Sequence, residues 1–147
     1  MYKKILVPLD GSALAEAVMP HAINLAQTSE GVEIVLLRVS VIPAPEFALS
    51  DPVLASDLIN TLETETLDYL ISIRGKLQKA GIRTSFIVHE GAIAETILSV
   101  AEEINADIIT MSTHGRSGMR RWLMGSIADR VVNHSPIPVL LIRSQLD

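Results

Sequence analysis

The run Asp107-Ile108-Ile109-Thr110-Met111-Ser112-Thr113-His114-Gly115-Arg116-Ser117-Gly118 opens as an apolar strand and passes directly into a loop of glycines and hydroxyls. The loop continues through Met119-Arg120-Arg121-Trp122-Leu123-Met124 to Gly125-Ser126, where a helix over Ser126–His134 is expected. Glycines let backbone amides approach a ligand closely, hydroxyls supply hydrogen bonds, and a helix start favours negative charge. A buried-type strand, such a loop and a helix, in that order, read as one unit of a parallel sheet with a place for a phosphate group.

Outward from this stretch the pattern repeats. Lys4–Pro8 reads as a short buried strand, and Ser12 as the N-cap of a helix whose apolar face includes Ala17, Val18, Ala22, Leu25 and Ala26. Val32–Val39 is a second strand after Gly31. Ile42–Pro52, with Pro43, Pro45 and Pro52, is expected to be a loop. Leu54, Leu58, Leu62, Leu70, Ile73 and Leu77 fall largely at helical spacing and predict a long helix ending near Gly81. Ile82–His89 is a third strand, Ile93, Ile97, Val100, Ala101 and Ile104 mark a third helix, and Ala106–Met111 and Ile137–Ile142 complete five strands among four helices.

Each crossover between strands is long enough for parallel pairing, with right-handed connections. The expected fold is therefore α/β, a three-layer sandwich around a five-stranded parallel sheet, with residues 1–147 as a single domain. In such sheets a ligand lies beyond the strand C-termini where the strand order reverses. The order 3-2-1-4-5 makes strands one and four neighbours. It brings Val7-Pro8-Leu9-Asp10-Gly11-Ser12 and Met111-Ser112-Thr113-His114-Gly115 to one crevice.

Composition narrows the chemistry. The chain has 147 residues, 48% of them hydrophobic, a net charge of −5 and no cysteine. A length of this order supports a substantial core, and the hydrophobic content argues against disorder. Absence of cysteine excludes disulfides, zinc-thiolate sites and thiol nucleophiles. An acidic chain without a basic stripe is a poor nucleic-acid binder. The apolar run before Asp10 is too short for a signal peptide, and no stretch has membrane-spanning length, so a cytoplasmic location is expected.

Individual motifs are modest. The loop lacks the P-loop lysine and a complete dinucleotide fingerprint. Ser126-Ile127-Ala128-Asp129 fits a capping box, a structural task compatible with presenting free amides to a phosphate. Asp10, before Gly11, either begins a turn or accepts hydrogen bonds from ribose hydroxyls or helps hold a metal. Arg116, Arg120 and Arg121 are surface charges or, grouped in one loop, phosphate contacts. Trp122 packs the loop or meets a partner subunit. His21, His89, His114 and His134 show no metal-ligand spacing, and Glu63, Glu65 and Asp68 read as a solvated helix face. No nucleophile elbow or zincin motif is present, and no catalytic residue is assigned.

Over essentially its whole length the chain resembles the universal stress protein family. Lys3-Lys4-Ile5-Leu6-Val7-Pro8-Leu9-Asp10-Gly11-Ser12 is similar to that family's opening strand and turn. Gly91–Ile97 resembles its loop into the third helix, and Ser135–Arg143 its final strand. The family's ATP-binding branch carries a signature of Gly, two residues, Gly, nine residues, then Gly-Ser or Gly-Thr. Gly115, nine intervening residues and Gly125-Ser126 match its later parts, while Ser112 stands at the first glycine. A site there needing φ > 0 or very close approach would cost a serine roughly 1 kcal/mol or more.

The resemblance implies a Rossmann-like fold of the adenine nucleotide alpha hydrolase-like type and an ATP ligand, with Mg²⁺ as a possible companion. Pro8, Leu9, Asp10 and Val39 would surround adenine and ribose. Met111, Ser112, Thr113, His114, Gly115, Arg116 and Ser117, with Gly125, Ser126 and Ile127, would hold ribose and phosphates. It also implies a homodimer paired through Ile137–Ile142, which agrees with the hazard of an apolar strand left at a sheet edge. The leading expectation is a nucleotide-binding stress or signalling module in which ATP biases dimer or partner contacts. A slow Mg²⁺-dependent ATPase or phosphotransferase using Asp10, a dimeric interaction protein that binds no nucleotide, and a site for another small adenylate are the alternatives.

Overall fold

A computed structural model describes residues 1–40, 45–114 and 125–144. Strands β1 (Lys4–Pro8), β2 (Glu33–Ser40), β3 (Arg83–Glu90), β4 (Ile108–His114) and β5 (Val139–Ser144) form one parallel sheet in the order β3-β2-β1-β4-β5. The helices are α1 (Ala13–Glu16), α2 (Met19–Gln27), α3 (Pro45–Ser50), α4 (Pro52–Lys79), α5 (Ile93–Glu103) and α6 (Ser126–His134). The expected strand order is thus the observed one.

Alternation along the strands feeds two cores. Ile5 and Val7 of β1 join Ile34 and Leu36 of β2 under α2 and α4, which contribute Val18 and Ala22 from the α2 end and Leu70, Ile73 and Leu77 from α4. Leu6, Val35, Leu37 and Ile109 face the opposite way, against Ile97 and Val100 of α5 and Ala128 and Val131 of α6. Both faces of every central strand are covered, which is why β1 and β2 read as continuous apolar runs without alternation.

Strand ends shift by one or two residues in several places, and four departures from expectation have a local reason. The first helix is two: α1 stops at Glu16 and α2 starts at Met19. Pro20 explains the break, because its ring excludes the carbonyl four residues back, which is that of Glu16. The expected Ile42–Pro52 loop contains α3, since a proline is tolerated in the first turn of a helix, where Pro45 stands. β4 runs on to His114, three residues past the expected end, because β5 supplies partners through Ser112↔Ile142, Thr113↔Arg143 and His114↔Ser144. β5 begins at Val139 and not at Ile137: the Ile137 amide donates to the Ser135 hydroxyl at 3.2 Å, and Pro138 has no amide.

α4 is capped by the Asp51 carboxylate, which accepts from the Leu54 amide at 3.0 Å, and it ends at Lys79, two residues before Gly81, whose φ of +80° suits glycine. Its 28 residues reach about 42 Å, longer than the strands beneath. Only its C-terminal half therefore packs on the sheet. Leu70, Ile73 and Leu77 are 0%, 7% and 4% exposed, whereas Leu54, Leu58 and Leu62 are 54%, 44% and 49% exposed. Among the described residues no helix is long and apolar enough to cross a membrane.

At the opposite end of the sheet from the strand C-termini, Asp107 locks β1 beside β4. Its Oδ2 accepts from the Lys3 and Lys4 amides, both at 2.8 Å, and its own amide donates to the Lys4 carbonyl at 2.9 Å. Those two backbone hydrogen bonds hold the Asp107 carboxyl below its ordinary value of 3.8.

Two stability predictions follow from this packing. Leu70→Ala is expected to destabilise by about 3 kcal/mol and Leu58→Ala by less than about 1 kcal/mol in urea unfolding, because only the first opens a cavity. Equal losses would place the N-terminal half of α4 in the core. Asp107→Asn is expected to be less stable than the wild type at pH 7. Because the folded carboxyl titrates below its unfolded counterpart, its contribution is present above pH 3.8 and fades as the pH falls through the lowered folded value. The gap between variant and wild type should close there; a gap unchanged by acid would remove the carboxylate from the account.

Candidate functional site

Past Leu6 and Ile109 the strands β1 and β4 cease to pair, and a cavity of about 320 Å³ opens at their C-terminal ends. That volume lies at the lower end of the range that holds small ligands. Its floor is apolar, built by Leu37 and Val39 of β2, Ile93 and Ile97 of α5 and Met111 of β4. On the β4 side of β1 its lining is polar, with Ser112 and Thr113 near the end of β4 and Gly125 and Ser126 opening α6.

Ten residues expected at the site line this one cavity: Pro8, Leu9, Asp10, Val39, Met111, Ser112, Thr113, Gly125, Ser126 and Ile127. His114 ends β4. Gly115, Arg116 and Ser117 lie outside the described residues, as do Arg120, Arg121 and Trp122. Leu14, Ala15, Leu37, Ile93, Ile97 and Ala128 line the cavity without having been anticipated. Leu37 had a readable signal, since a strand that turns Val39 toward a ligand turns Leu37 the same way. The α5 residues had none, because they look identical to ordinary core positions.

Asp10 both shapes its turn and stays available. Its Oδ1 accepts from the Ser12 amide at 2.9 Å and from the Ser12 hydroxyl, while Ser12 Oγ in turn accepts from the Ala15 amide at 3.1 Å to cap α1. Gly11 between them has φ +87°, a conformation costly for any residue with a Cβ. Partial burial pushes the Asp10 carboxyl upward, but the Ser12 hydroxyl and amide and the positive charge of Arg38 outweigh it and hold it below 3.8. The group is therefore a carboxylate at neutral pH. Oδ2 accepts no hydrogen bond among the described residues and remains open to a ligand hydroxyl.

Behind this turn the Tyr69 hydroxyl is buried without a hydrogen-bond partner among the described residues. Burial first, then the charges of Glu16 and Asp10, push it up to about 12, with Arg38 opposing them. Tyr69 is thus a neutral phenol at any physiological pH.

The α6 end of the site departs from the capping-box expectation. Gly125 is the N-cap, Ser126 is the first helical residue, and no side chain caps the helix. The physical reason is the Gly125 amide, which donates to Thr113 Oγ1 at 3.2 Å and so turns the chain into the helix one residue earlier. The Asp129 amide makes the first intrahelical bond, to the Gly125 carbonyl at 2.9 Å. The amides of Ser126, Ile127 and Ala128 are left unpaired by the helix, and all three residues line the cavity.

Two glycine-signature positions can now be judged by geometry. Ser112 lies in regular strand pairing with Ile142, and among the described residues only Asn105 is a non-glycine with positive φ. A serine therefore meets no backbone penalty at 112. Gly125 has φ −59° and ψ 151°, which any residue adopts, and an added Cβ would come no nearer than 3.7 Å to Thr113 Oγ1. Neither the backbone angles nor the packing of the described residues requires glycine there.

The Universal stress protein family profile matches residues 1–143. Universal stress protein MJ0531 of Methanocaldococcus jannaschii is 33% identical over 144 residues, 97% of this chain and 83% of that one. The solved structure of MJ0577, from the same organism, superposes with a TM-score of 0.83 at 30% identity, covering 100% of this chain and 99% of that one. A universal stress protein solved in complex with cAMP shares the fold, with a TM-score of 0.69 at 20% identity and 98% of both chains covered. A profile match across nearly the entire length and a relative at one-third identity place this chain in the universal stress protein family.

Proposed function

We propose that the cavity binds ATP, and that the chain is a dimeric stress-response or signalling module whose contacts the nucleotide biases. The observation that carries the reading is the division of the cavity: an apolar floor of Leu37, Val39, Ile93 and Ile97 beside an end of hydroxyls, a glycine and three unpaired helix amides. An adenine ring loses water favourably against the first, and phosphate oxygens take hydrogen bonds and favourable helix charge from the second. Asp10, ionised and with Oδ2 open, stands between them for ribose hydroxyls. His114, the last residue of β4, and Gly115, Arg116 and Ser117, which follow it in the sequence, are assigned to the same phosphate end. A universal stress protein of this fold solved in complex with cAMP supports the reading.

The proposed dimer pairs β5 with its copy. β5 is an edge strand, and Val139, Leu140, Leu141 and Ile142 are each only half buried. An apolar edge in that state invites a further strand. Sedimentation velocity should return the mass of two chains, against 16.0 kDa for one; a monomer at micromolar concentration would remove this element of the proposal.

Calorimetric titration with ATP, with and without Mg²⁺, tests the nucleotide reading. One site per chain is expected in the wild type. Gly125→Val is expected to lower affinity at least about tenfold, about 1.4 kcal/mol, by occupying the approach to the phosphate end. Its circular dichroism should remain native, because the backbone angles at 125 suit valine. Unchanged affinity in that variant would move the ligand elsewhere.

A further inference from the structure

Ser112 and Thr113 are consecutive residues of a strand, so their side chains leave opposite faces of the sheet. Each makes one hydrogen bond to a different wall of the cavity, and in each the partner has only one possible role. Ser112 Oγ lies 3.3 Å from the Ala15 carbonyl of α1, and a carbonyl only accepts, so the Ser112 proton is committed to it. Thr113 Oγ1 lies 3.2 Å from the Gly125 amide, and an amide only donates, so Thr113 is the acceptor there and its own proton has no acceptor among the described residues. Thr113 is 4% exposed, a buried hydroxyl with a proton to give, and both residues line the cavity.

The two hydroxyls consequently face the cavity with opposite polarity. Ser112 retains lone pairs and no proton; Thr113 retains a proton. We propose that this pair reads the ligand's polarity: Ser112 Oγ accepts from a hydroxyl of the ligand, and Thr113 Oγ1–H donates to a phosphate oxygen. The assignment rests on the nucleotide reading above and adds a specificity to it. Thr113 stands with Gly125 at the phosphate end, where a donor is useful and an acceptor would repel. Ser112 stands against α1, on the side of the Asp10 turn, where ribose carries two hydroxyls in need of acceptors. Asp10 Oδ2 provides one acceptor and Ser112 Oγ the other. A glycine at 112 would keep the strand and lose that acceptor, so this chain should favour ribonucleotides more strongly than a chain with glycine there.

Titration calorimetry with four probes separates the two roles. Wild-type protein is expected to bind ATP about fivefold more tightly than one of the two analogues, 2′-deoxyATP or 3′-deoxyATP, the loss of one neutral hydrogen bond beyond what Asp10 reads. Ser112→Ala should abolish that preference while binding the discriminated analogue as the wild type does. Thr113→Val should lose at least about tenfold in ATP affinity yet bind adenosine unchanged, and Thr113→Ser should restore ATP binding. In nucleotide-free protein, the Gly125 amide should exchange with solvent faster in Thr113→Val than in Thr113→Ser or wild type, independently of any ligand. Failure of wild-type protein to bind ATP would overturn the nucleotide reading itself. Wild-type binding with an unchanged ribose preference in Ser112→Ala, or with equal ATP and adenosine losses in Thr113→Val, would overturn the hydroxyl assignment alone.

Discussion

The place where β1 and β4 part company governs everything at the functional end of this molecule. β1 stays with β2 from Lys4↔Glu33 to Pro8↔Leu37, and the Leu9 amide extends the ladder to the Leu37 carbonyl at 2.8 Å. β4 stays with β5 as far as His114↔Ser144. Between β1 and β4 the register comprises only Ile5↔Ile108 and Leu6↔Ile109. Pro8 supplies a reason. Successive peptide groups of a parallel strand point to alternate sides; those of Lys4 and Leu9 point to β4 and β2 respectively, so the amide that Pro8 lacks would have pointed to β4. The ladder loses its donor at the residue where the cavity begins. Asp107 holds the other end of the same pair of strands shut, so the opening is a local divergence and not a weak sheet.

That divergence gives ordinary packing residues a second use. Leu37, Val39, Ile97 and Met111 belong to or pack against the core on the α5 and α6 side, and the same residues form the apolar floor of the cavity. Burial at both ends of these side chains fixes their positions before any ligand arrives. The polar end is fixed by hydrogen bonds instead: Asp10 to Ser12, Ser112 to Ala15 and Thr113 to Gly125. The first ties the turn after β1, and the other two cross from β4 to α1 and to the start of α6, so the cavity is shaped by contacts that do not consume all its donors and acceptors. Preorganisation of this kind lowers the ordering cost of binding.

Much of this was legible in the sequence, and the reasons are specific. Five apolar strands separated by helical periods leave few parallel topologies, and the two unusual loops after strands one and four select among them. Val7–Ser12 and Met111–Gly115 therefore led to the crevice, and α6 was readable to its first and last residue. The misses are of another kind. Pro20 cuts a helix whose apolar spacing runs straight through the break. Leu54, Leu58 and Leu62 have the same spacing as Leu70, Ile73 and Leu77, yet the sheet ends beneath the second group. Periodicity reports which residues share a helix face; it does not report how far the neighbouring layer extends. Ile93 and Ile97 were unreadable as lining residues because a cavity wall and a core wall are chemically alike.

The signature position at 112 shows how geometry decides a question that pattern matching poses badly. A serine in place of a motif glycine looks like a defect if the glycine exists for its backbone freedom. The strand continues through 112 in regular register, so freedom of φ is not what the position needs. What distinguishes glycine there is the missing side chain, and the Ser112 side chain is turned to the Ala15 carbonyl of α1 while still bordering the cavity. At Gly125 the same reasoning runs the other way. Its backbone angles suit any residue, and among the described residues the nearest neighbour for a Cβ is at 3.7 Å. Neither its dihedrals nor the packing of the described residues demands glycine there, which leaves room for a group approaching from the cavity. At the start of a helix without a side-chain cap, beside the Thr113 hydroxyl that borders the same cavity, the chemistry that profits from such an approach is that of an anionic oxygen.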